Sequence, residues 1–179
     1  YCNAARKGIP FKGRFVWRMF LLFLFSQFHS LFYNGDILLL YAVMGVFLVA
    51  VSGFSTRTVL VIASVMIIQP VEWIRVICTL CDIPFLEYGN NWLKYAVLAK
   101  PVMESGSFLE VVQSNITYGQ LYGNLWQIEN GRIFQIGGLF LFGMVAGRLS
   151  LFQNTRESMM VWKKISLWSA VLFLSLIHI

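Results

Sequence analysis

The residues best suited to chemistry lie on one face of an apolar segment near the start of the chain. Four polar side chains recur there at helical spacing: Ser26, His29, Ser30 and Tyr33. Residues three, four and seven positions apart share one face of a helix. Because histidine exchanges a proton near neutral pH, His29 is the natural general base or proton relay. Asp36 follows across a short break and could orient the imidazole ring.

Each of these residues also has a structural interpretation. Asp36 is a favoured type for capping the helix that follows it. Helix ends are polar at every membrane interface, so the polar face around His29 could reflect its position alone. For Glu72 and Arg132, solvation at such an interface is the structural alternative.

The composition indicates a protein whose surroundings are lipid. The 179 residues are 58% hydrophobic and 12% charged, whereas soluble domains carry about 25% charged residues. A soluble fold of this length could not hide that much apolar surface. No run of Lys and Arg alternates with aromatic residues, so the net charge of +6 indicates a lipid bilayer as partner and no nucleic acid.

Five apolar segments predict an all-α, polytopic transmembrane helix bundle. They cover about residues 15–33, 37–51, 58–74, 131–148 and 162–179. Proline removes a backbone donor, so Pro70 is expected to kink the third segment near its end. The sequence starts at Tyr1 and ends inside an apolar segment, so we expect one membrane domain, 1–179, cut from a longer protein.

Residues 75–130 form a more polar insert between the third and fourth segments. Ser107–Glu110 has the sequence of a capping box, and the apolar residues after it recur at helical spacing. This pattern predicts either an amphipathic helix lying on the membrane surface or a helix packed on the bundle.

The distribution of basic residues predicts the orientation. Ten of the 14 Lys and Arg residues fall on one side: Arg6, Lys7, Lys12, Arg14, Arg18, Arg57, Arg148, Arg156, Lys163 and Lys164. We therefore expect a multi-pass protein of the bacterial inner membrane. The segment before Phe15 should be cytoplasmic, and residues 75–130 should be periplasmic or extracellular.

Polar residues concentrate in the outer half of the predicted spans. Ionisable groups at membrane depth normally face the bundle interior or a water-filled cavity. The sequence thus predicts a cavity open to the outside, with His29 and Asp36 as catalytic residues. The predicted substrate-binding residues are Ser26, Ser30, Gln69, Glu72 and Gln135.

Two further motifs carry less chemistry. Cys78 and Cys81 have the spacing of a redox or zinc motif, but no second pair or nearby His completes a metal site, so an incidental pair or a local disulfide is expected. Gly143 and Gly147 form a GxxxG motif, which favours tight helix packing within the bundle or a homodimer.

Several stretches resemble the YeiB-like family of bacterial multi-pass membrane proteins, a domain of unknown function numbered 418. The resemblance begins with Lys12–Arg14, His29 and the run Gly35–Ala42, read as GDILLLYA. It continues in Gly106–Glu110 and Leu139–Arg148, and so covers most of the chain. The resemblance implies further helices before and after this sequence.

The family is similar at a distance to membrane acyltransferases that move an acyl group onto a sugar hydroxyl or an amine across the bilayer. In those enzymes a membrane-embedded His acts as the base. His29 and Asp36 match the family's His and GD positions. The resemblance therefore implies acyl transfer to an envelope glycan or lipid, with an acyl-CoA as donor and no evident cofactor.

Two other functions compete with acyl transfer. A transporter or permease would use the same polar face as a substrate path, although the inner half of the spans is poor in polar residues. A structural membrane protein without turnover would need His29 only for stability.

Overall fold

The computed structural model describes residues 11–81, 83 and 91–177, and regular structure in this part of the chain is entirely helical. The all-α prediction is therefore confirmed. The helices are α1 (Phe11–Ser30), α2 (Leu38–Val51), α3 (Thr56–Ile68), α4 (Pro70–Leu80), α5 (Asn91–Ser105), α6 (Phe108–Ser114), α7 (Gln120–Glu129), α8 (Arg132–Arg148) and α9 (Arg156–Ile177). A π-helical turn, Asn115–Gly119, joins α6 to α7.

The core forms where α2, α3 and α8 meet. Its buried side chains are Val51, Val59, Ala63, Leu141 and Val145. α8 packs along α3, and α1 packs along α2. Gly138 permits the α3–α8 approach, because an added Cβ would come within 3.1 Å of the Ala63 carbonyl oxygen.

The outer surface of these helices is strongly apolar. Large side chains such as Trp17, Phe25, Phe28 and Trp73 are mostly exposed, which soluble monomers rarely tolerate over a contiguous area. Among the described residues, the stretch Thr56–Leu80 is long and apolar enough to cross a membrane, with 25 residues and a mean hydropathy of 1.8 over its most apolar 18 residues. Within the described residues, the other four predicted spans are too short or not apolar enough to meet the same criteria of length and hydropathy.

Two sets of contacts define the ends of the bundle. At one end, the Arg148 guanidinium donates hydrogen bonds of 2.7 and 2.8 Å to the carbonyl oxygens of Ser52 and Phe54. At the other end, Gln69 Nε2 donates to the Gly131 carbonyl at 3.1 Å. The first contacts join the α2–α3 loop to the end of α8, and the second joins the α3–α4 junction to the start of α8.

The helix ends differ from the predicted ends around Pro70. α3 stops at Ile68, Gln69 takes a left-handed conformation with φ of 52°, and Pro70 begins α4. Pro70 starts a helix here instead of kinking one, because the first helical position needs no N–H donor. α4 then continues to Leu80, past the predicted end at residue 74.

Other boundaries shift by a few residues. α1 ends at Ser30, three residues before the predicted end, and α9 begins at Arg156, six residues early. α5 was not predicted within the insert, where Pro101 lies inside the helix and breaks the expected pattern.

The helix that follows the capping-box sequence is packed on the bundle. Its three parts, α6, the π-helical turn and α7, each contact α5, and the Asn115 side chain donates to the Leu31 carbonyl at 3.0 Å. Phe108, Leu109 and Ile116 remain exposed on its other side. The contacts favour the packed alternative.

The tight helix packing expected at Gly143 and Gly147 occurs instead at Gly137 and Gly138. A Cβ added at either residue of the GxxxG motif meets nothing within 4 Å, whereas one added at Gly137 would overlap Met66. Gly137 and Gly138 therefore allow the close approach of α8 to α3. A homodimer through Gly143 and Gly147 stays a prediction.

Candidate functional site

The loop between α1 and α2 places the predicted catalytic pair in contact. His29 lies in the last turn of α1, and its Nδ1 is 3.2 Å from Asp36 Oδ1. The Asp36 carboxylate is 6% exposed, whereas the imidazole is 49% exposed. A buried carboxylate therefore supports a ring that solvent can reach.

The Asp36 carboxylate accepts two further hydrogen bonds. Ser26 Oγ donates to Oδ2 from one helical turn before His29, and the Leu38 N–H at the start of α2 donates to Oδ1 at 3.1 Å. Asp36 thus combines the capping role and the contact with His29, which the sequence presented as alternatives. Multiple donors hold the carboxylate in a fixed orientation.

This arrangement has a defined chemical capacity. When a neutral imidazole donates its Nδ1–H to a carboxylate, the other nitrogen carries a lone pair and can accept a proton. Nε2 of His29 is that nitrogen. The Tyr33 ring contacts the imidazole edge-on, with 5.8 Å between ring centroids. A general base held by a carboxylate is therefore available at the surface of the bundle.

α7 holds the loop from the other side. Gln127 Nε2 donates to the backbone carbonyl of Asp36 at 2.8 Å, and the Gln127 side chain is buried. A Cβ on Gly123 would overlap the Asn34 carbonyl oxygen, so only glycine permits this approach of α7 to the loop. Neither Gln127 nor Gly123 was predicted to belong to the site. The sequence signal that could have identified them is a glycine and an amide within an amphipathic helix.

Ser26 and Ser30 support the site without facing an open cavity. Ser26 is 1% exposed, and Ser30 Oγ donates to the Gln27 carbonyl at 2.9 Å. Both line a cavity of about 10 Å³ beside Asp36, which is close to the space of one water molecule. The Ser26 hydroxyl therefore holds Asp36, and the Ser30 hydroxyl is bonded within α1.

Gln69 and Glu72 belong to a separate polar cluster. Glu72 pairs with Arg75 at 2.8 Å, and Arg75 Nη1 also donates to the Glu129 carbonyl at 3.2 Å. The buried Glu129 side chain accepts a 3.4 Å hydrogen bond from the Trp92 backbone N–H. This cluster lines an open cavity of about 630 Å³, to which neither His29 nor Asp36 contributes.

The single cavity predicted from the sequence is therefore divided. Gln135, the remaining predicted binding residue, is exposed on α8 and lines neither cavity. The prediction grouped residues by depth along the helices, but depth does not specify which faces of the helices meet.

Another cavity, of about 500 Å³, adjoins the α1–α2 loop, and His29 is not among its lining residues. Tyr33 lines it and also contacts the His29 ring. Lys100 from α5 and Arg132 from α8 line the same space. The sequence analysis did not assign these two basic residues to a site.

The described residues contain no group of three His, Cys, Asp or Glu side chains placed to hold a metal ion. Cys78 and Cys81 are both free thiols. The local disulfide considered from their spacing is therefore not formed.

The start of α6 carries a titratable group with a shifted pKa. The backbone N–H of Ser107 donates to the Glu110 carboxylate at 2.6 Å, and the Ser107 hydroxyl donates at 2.8 Å. These hydrogen bonds, the backbone one first, hold the pKa of Glu110 below its usual range. They fix the helix start that leads into the π-helical turn.

Comparison with protein-family models, with curated proteins and with solved structures finds no match to this chain. The resemblance to the YeiB-like family therefore stays a prediction from the motifs around His29 and Gly35–Ala42.

Proposed function

We propose that this chain belongs to a multi-pass protein of the bacterial inner membrane, similar to the YeiB-like family. The apolar outer surface, the candidate span Thr56–Leu80 and the low content of charged residues support a lipid environment. The remaining apolar helices would cross or line the bilayer together with helices outside this sequence.

Reporter fusions test this topology directly. Alkaline phosphatase fused after Ser55 should be inactive and one fused after Ser107 should be active, because the enzyme needs the periplasm to fold. Recovery of the full-length protein in the soluble fraction, or the reverse pattern of activity, would contradict the proposal.

We further propose that the site performs acyl transfer to a hydroxyl or amine of an envelope glycan or lipid. The observation that carries this proposal is the 3.2 Å contact between His29 Nδ1 and the buried Asp36 carboxylate. It supplies an oriented base, which the reaction needs to activate a weak nucleophile.

The proposed step balances without a redox partner. His29 Nε2 takes the proton of the acceptor hydroxyl as its oxygen forms a bond to the carbonyl carbon of an acyl-CoA. The carbon–sulfur bond then breaks, and the coenzyme A sulfur leaves with the proton from His29. Asp36 stabilises the imidazolium that forms between these two proton transfers.

The test uses the full-length protein in membrane vesicles supplied with labelled acetyl-CoA on the cytoplasmic side. Label should reach envelope glycans or lipids, and His29→Ala should reduce the initial rate about 10²-fold or more. Asp36→Asn should also reduce the rate, because it changes the group that orients the ring. Glu72→Gln is the matched control from the other polar cluster and should retain activity.

The outcomes separate the competing functions. Transfer that survives His29→Ala in an equally abundant protein would remove the base from the mechanism. If wild-type vesicles transfer no more label than empty vesicles, acetyl transfer from this donor is excluded, and transport or a structural role replaces it.

A further inference from the structure

The cavity of about 500 Å³ beside the α1–α2 loop is lined by four parts of the chain. Lys100, Met103 and Glu104 come from α5, and Tyr122 and Trp126 come from α7. The loop itself and the first turns of α8 complete the cavity. With a volume of about 500 Å³, it falls in the usual size range of small-ligand sites.

The charged side chains that line this cavity are two basic residues, Lys100 and Arg132, and one acidic residue, Glu104. In the part of the chain that the structure describes, neither Lys100 nor Arg132 forms an ion pair with an acidic side chain. Glu104 is the one acidic residue in the lining. Two cations and one carboxylate leave the cavity with an excess of positive charge.

Arg132 is held in a defined place. Its guanidinium carbon lies 5.2 Å from the centre of the Trp126 ring, in a cation–π contact. Stacking of this kind fixes the plane of the guanidinium while its N–H edges remain able to donate. Such a fork matches the paired oxygens of a phosphate group.

Aromatic groups complete the cavity beside the two cations. Tyr33 and Tyr122 contribute rings with hydroxyl groups, and Met103 and Ile136 contribute apolar surface. An anion carrying a short organic group would therefore find both charge and apolar contact.

We propose that this cavity binds a phosphate group between Lys100 and Arg132. The shared chemistry is a phosphate ester, and its source is either an acidic lipid headgroup or a soluble phosphate. Glu104 weakens the interaction by repulsion and so limits the affinity. The proposal does not depend on acyl transfer, because binding is measured without turnover.

The test measures binding to the purified full-length protein reconstituted in phosphatidylcholine. One arm adds phosphatidylglycerol and counts bound lipid by native mass spectrometry. The other arm measures inorganic phosphate and glycerol phosphate by equilibrium dialysis. Whichever source binds, Lys100→Gln and Arg132→Gln should each raise the Kd about tenfold or more, because each removes a charge-assisted hydrogen bond.

Two variants sharpen the test. Lys94→Gln removes a cation from the same helix outside the cavity, so it should leave the Kd unchanged. Glu104→Gln removes the repulsion and should lower the Kd. Both variants alter exposed side chains and should fold normally.

Binding of phosphatidylglycerol alone identifies a lipid site, and binding of the soluble phosphates alone identifies a solute site. The proposal is overturned if neither probe binds. It is also overturned if Lys94→Gln weakens binding as much as Lys100→Gln does, since the effect would then come from general surface charge.

Discussion

The two polar clusters at the same end of the bundle place their carboxylates in different surroundings. Asp36 is buried, and its carboxylate contacts the half-exposed His29 imidazole. It also accepts hydrogen bonds from the Ser26 hydroxyl and the Leu38 N–H. Glu72 is one-third exposed and pairs with the permanent cation of Arg75, three residues later on the same helix. The first pair contains an imidazole, whose two ring nitrogens can donate and accept a proton, whereas the second joins a carboxylate to a permanent cation.

The difference shows where reactivity can lie. Glu72 and Arg75 lie three residues apart on one helix, where such pairs form between neighbouring side chains, and Arg75 also donates to the Glu129 carbonyl of α7. The pair of His29 and Asp36 spans a loop and leaves the imidazole half exposed. The comparison therefore supports the proposal that chemistry lies at the first cluster and not at the second.

Removal of the buried carboxylate should have the largest effect on stability. Asp36→Ala leaves Ser26 and the Leu38 N–H without their acceptor and should lower the free energy of unfolding by about 3 kcal/mol. Denaturant titration in mixed micelles measures this loss. A loss below about 1 kcal/mol would mean that Asp36 contributes no more to the free energy of unfolding than is expected of Glu72.

The close approach of α7 to the loop gives the next largest effect. Gly123→Ala would force its Cβ against the Asn34 carbonyl and should cost about 2 kcal/mol. Gly143→Ala is the matched control, because its Cβ meets open space and alanine favours a helix by up to about 1 kcal/mol. Equal changes in stability for the two variants would show that α7 does not press on the loop.

Loss of the exposed ion pair should have a smaller effect. Glu72→Ala removes a pair whose side chains are 33% and 26% exposed, so the expected loss is below about 1 kcal/mol. The loss should shrink further in high salt, which screens exposed charges. Denaturant titration at low and high salt checks both points, and a loss equal to that of Asp36→Ala would remove the contrast between the clusters.

The smallest expected effect is a pH dependence at the start of α6. The pKa of Glu110 is lowered in the folded state by the Ser107 hydrogen bonds. Its contribution to stability is present above the unfolded pKa and is lost as the pH falls through the folded pKa. The thermal midpoints of wild type and Glu110→Gln should therefore converge on acidification; a gap that is constant with pH would argue against this role.

Local signals in the sequence were sufficient for much of the helical framework. Hydrophobic runs and the Asn34–Asp36 break located α2 and α8 within about one residue. The helical spacing around His29 and the position of Asp36 also anticipated the pair that the structure brings into contact. These features depend on neighbours within about ten positions.

Features that depend on distant residues could not be predicted. The contact of Gln127 with Asp36 joins residues 91 positions apart, and that of Asn115 with Leu31 joins residues 84 apart. Hydrophobic periodicity in the sequence indicates which face of a helix is apolar. It does not indicate which loop the side-chain amides of that helix contact. The same limit explains why Gln69 and Glu72 were grouped with His29.

The long separation between the loop and its hydrogen-bond donors has a consequence for biosynthesis. The ribosome adds α1 and α2 well before it reaches Asn115 and Gln127. The nascent chain therefore carries His29 at the end of α1, and Asp36 with its local partners Ser26 and Leu38, before Gln127 is available to bind the Asp36 carbonyl. We expect a chain arrested after α5 to form the local hydrogen bonds of Asp36 but to lack the support that α7 gives to the loop.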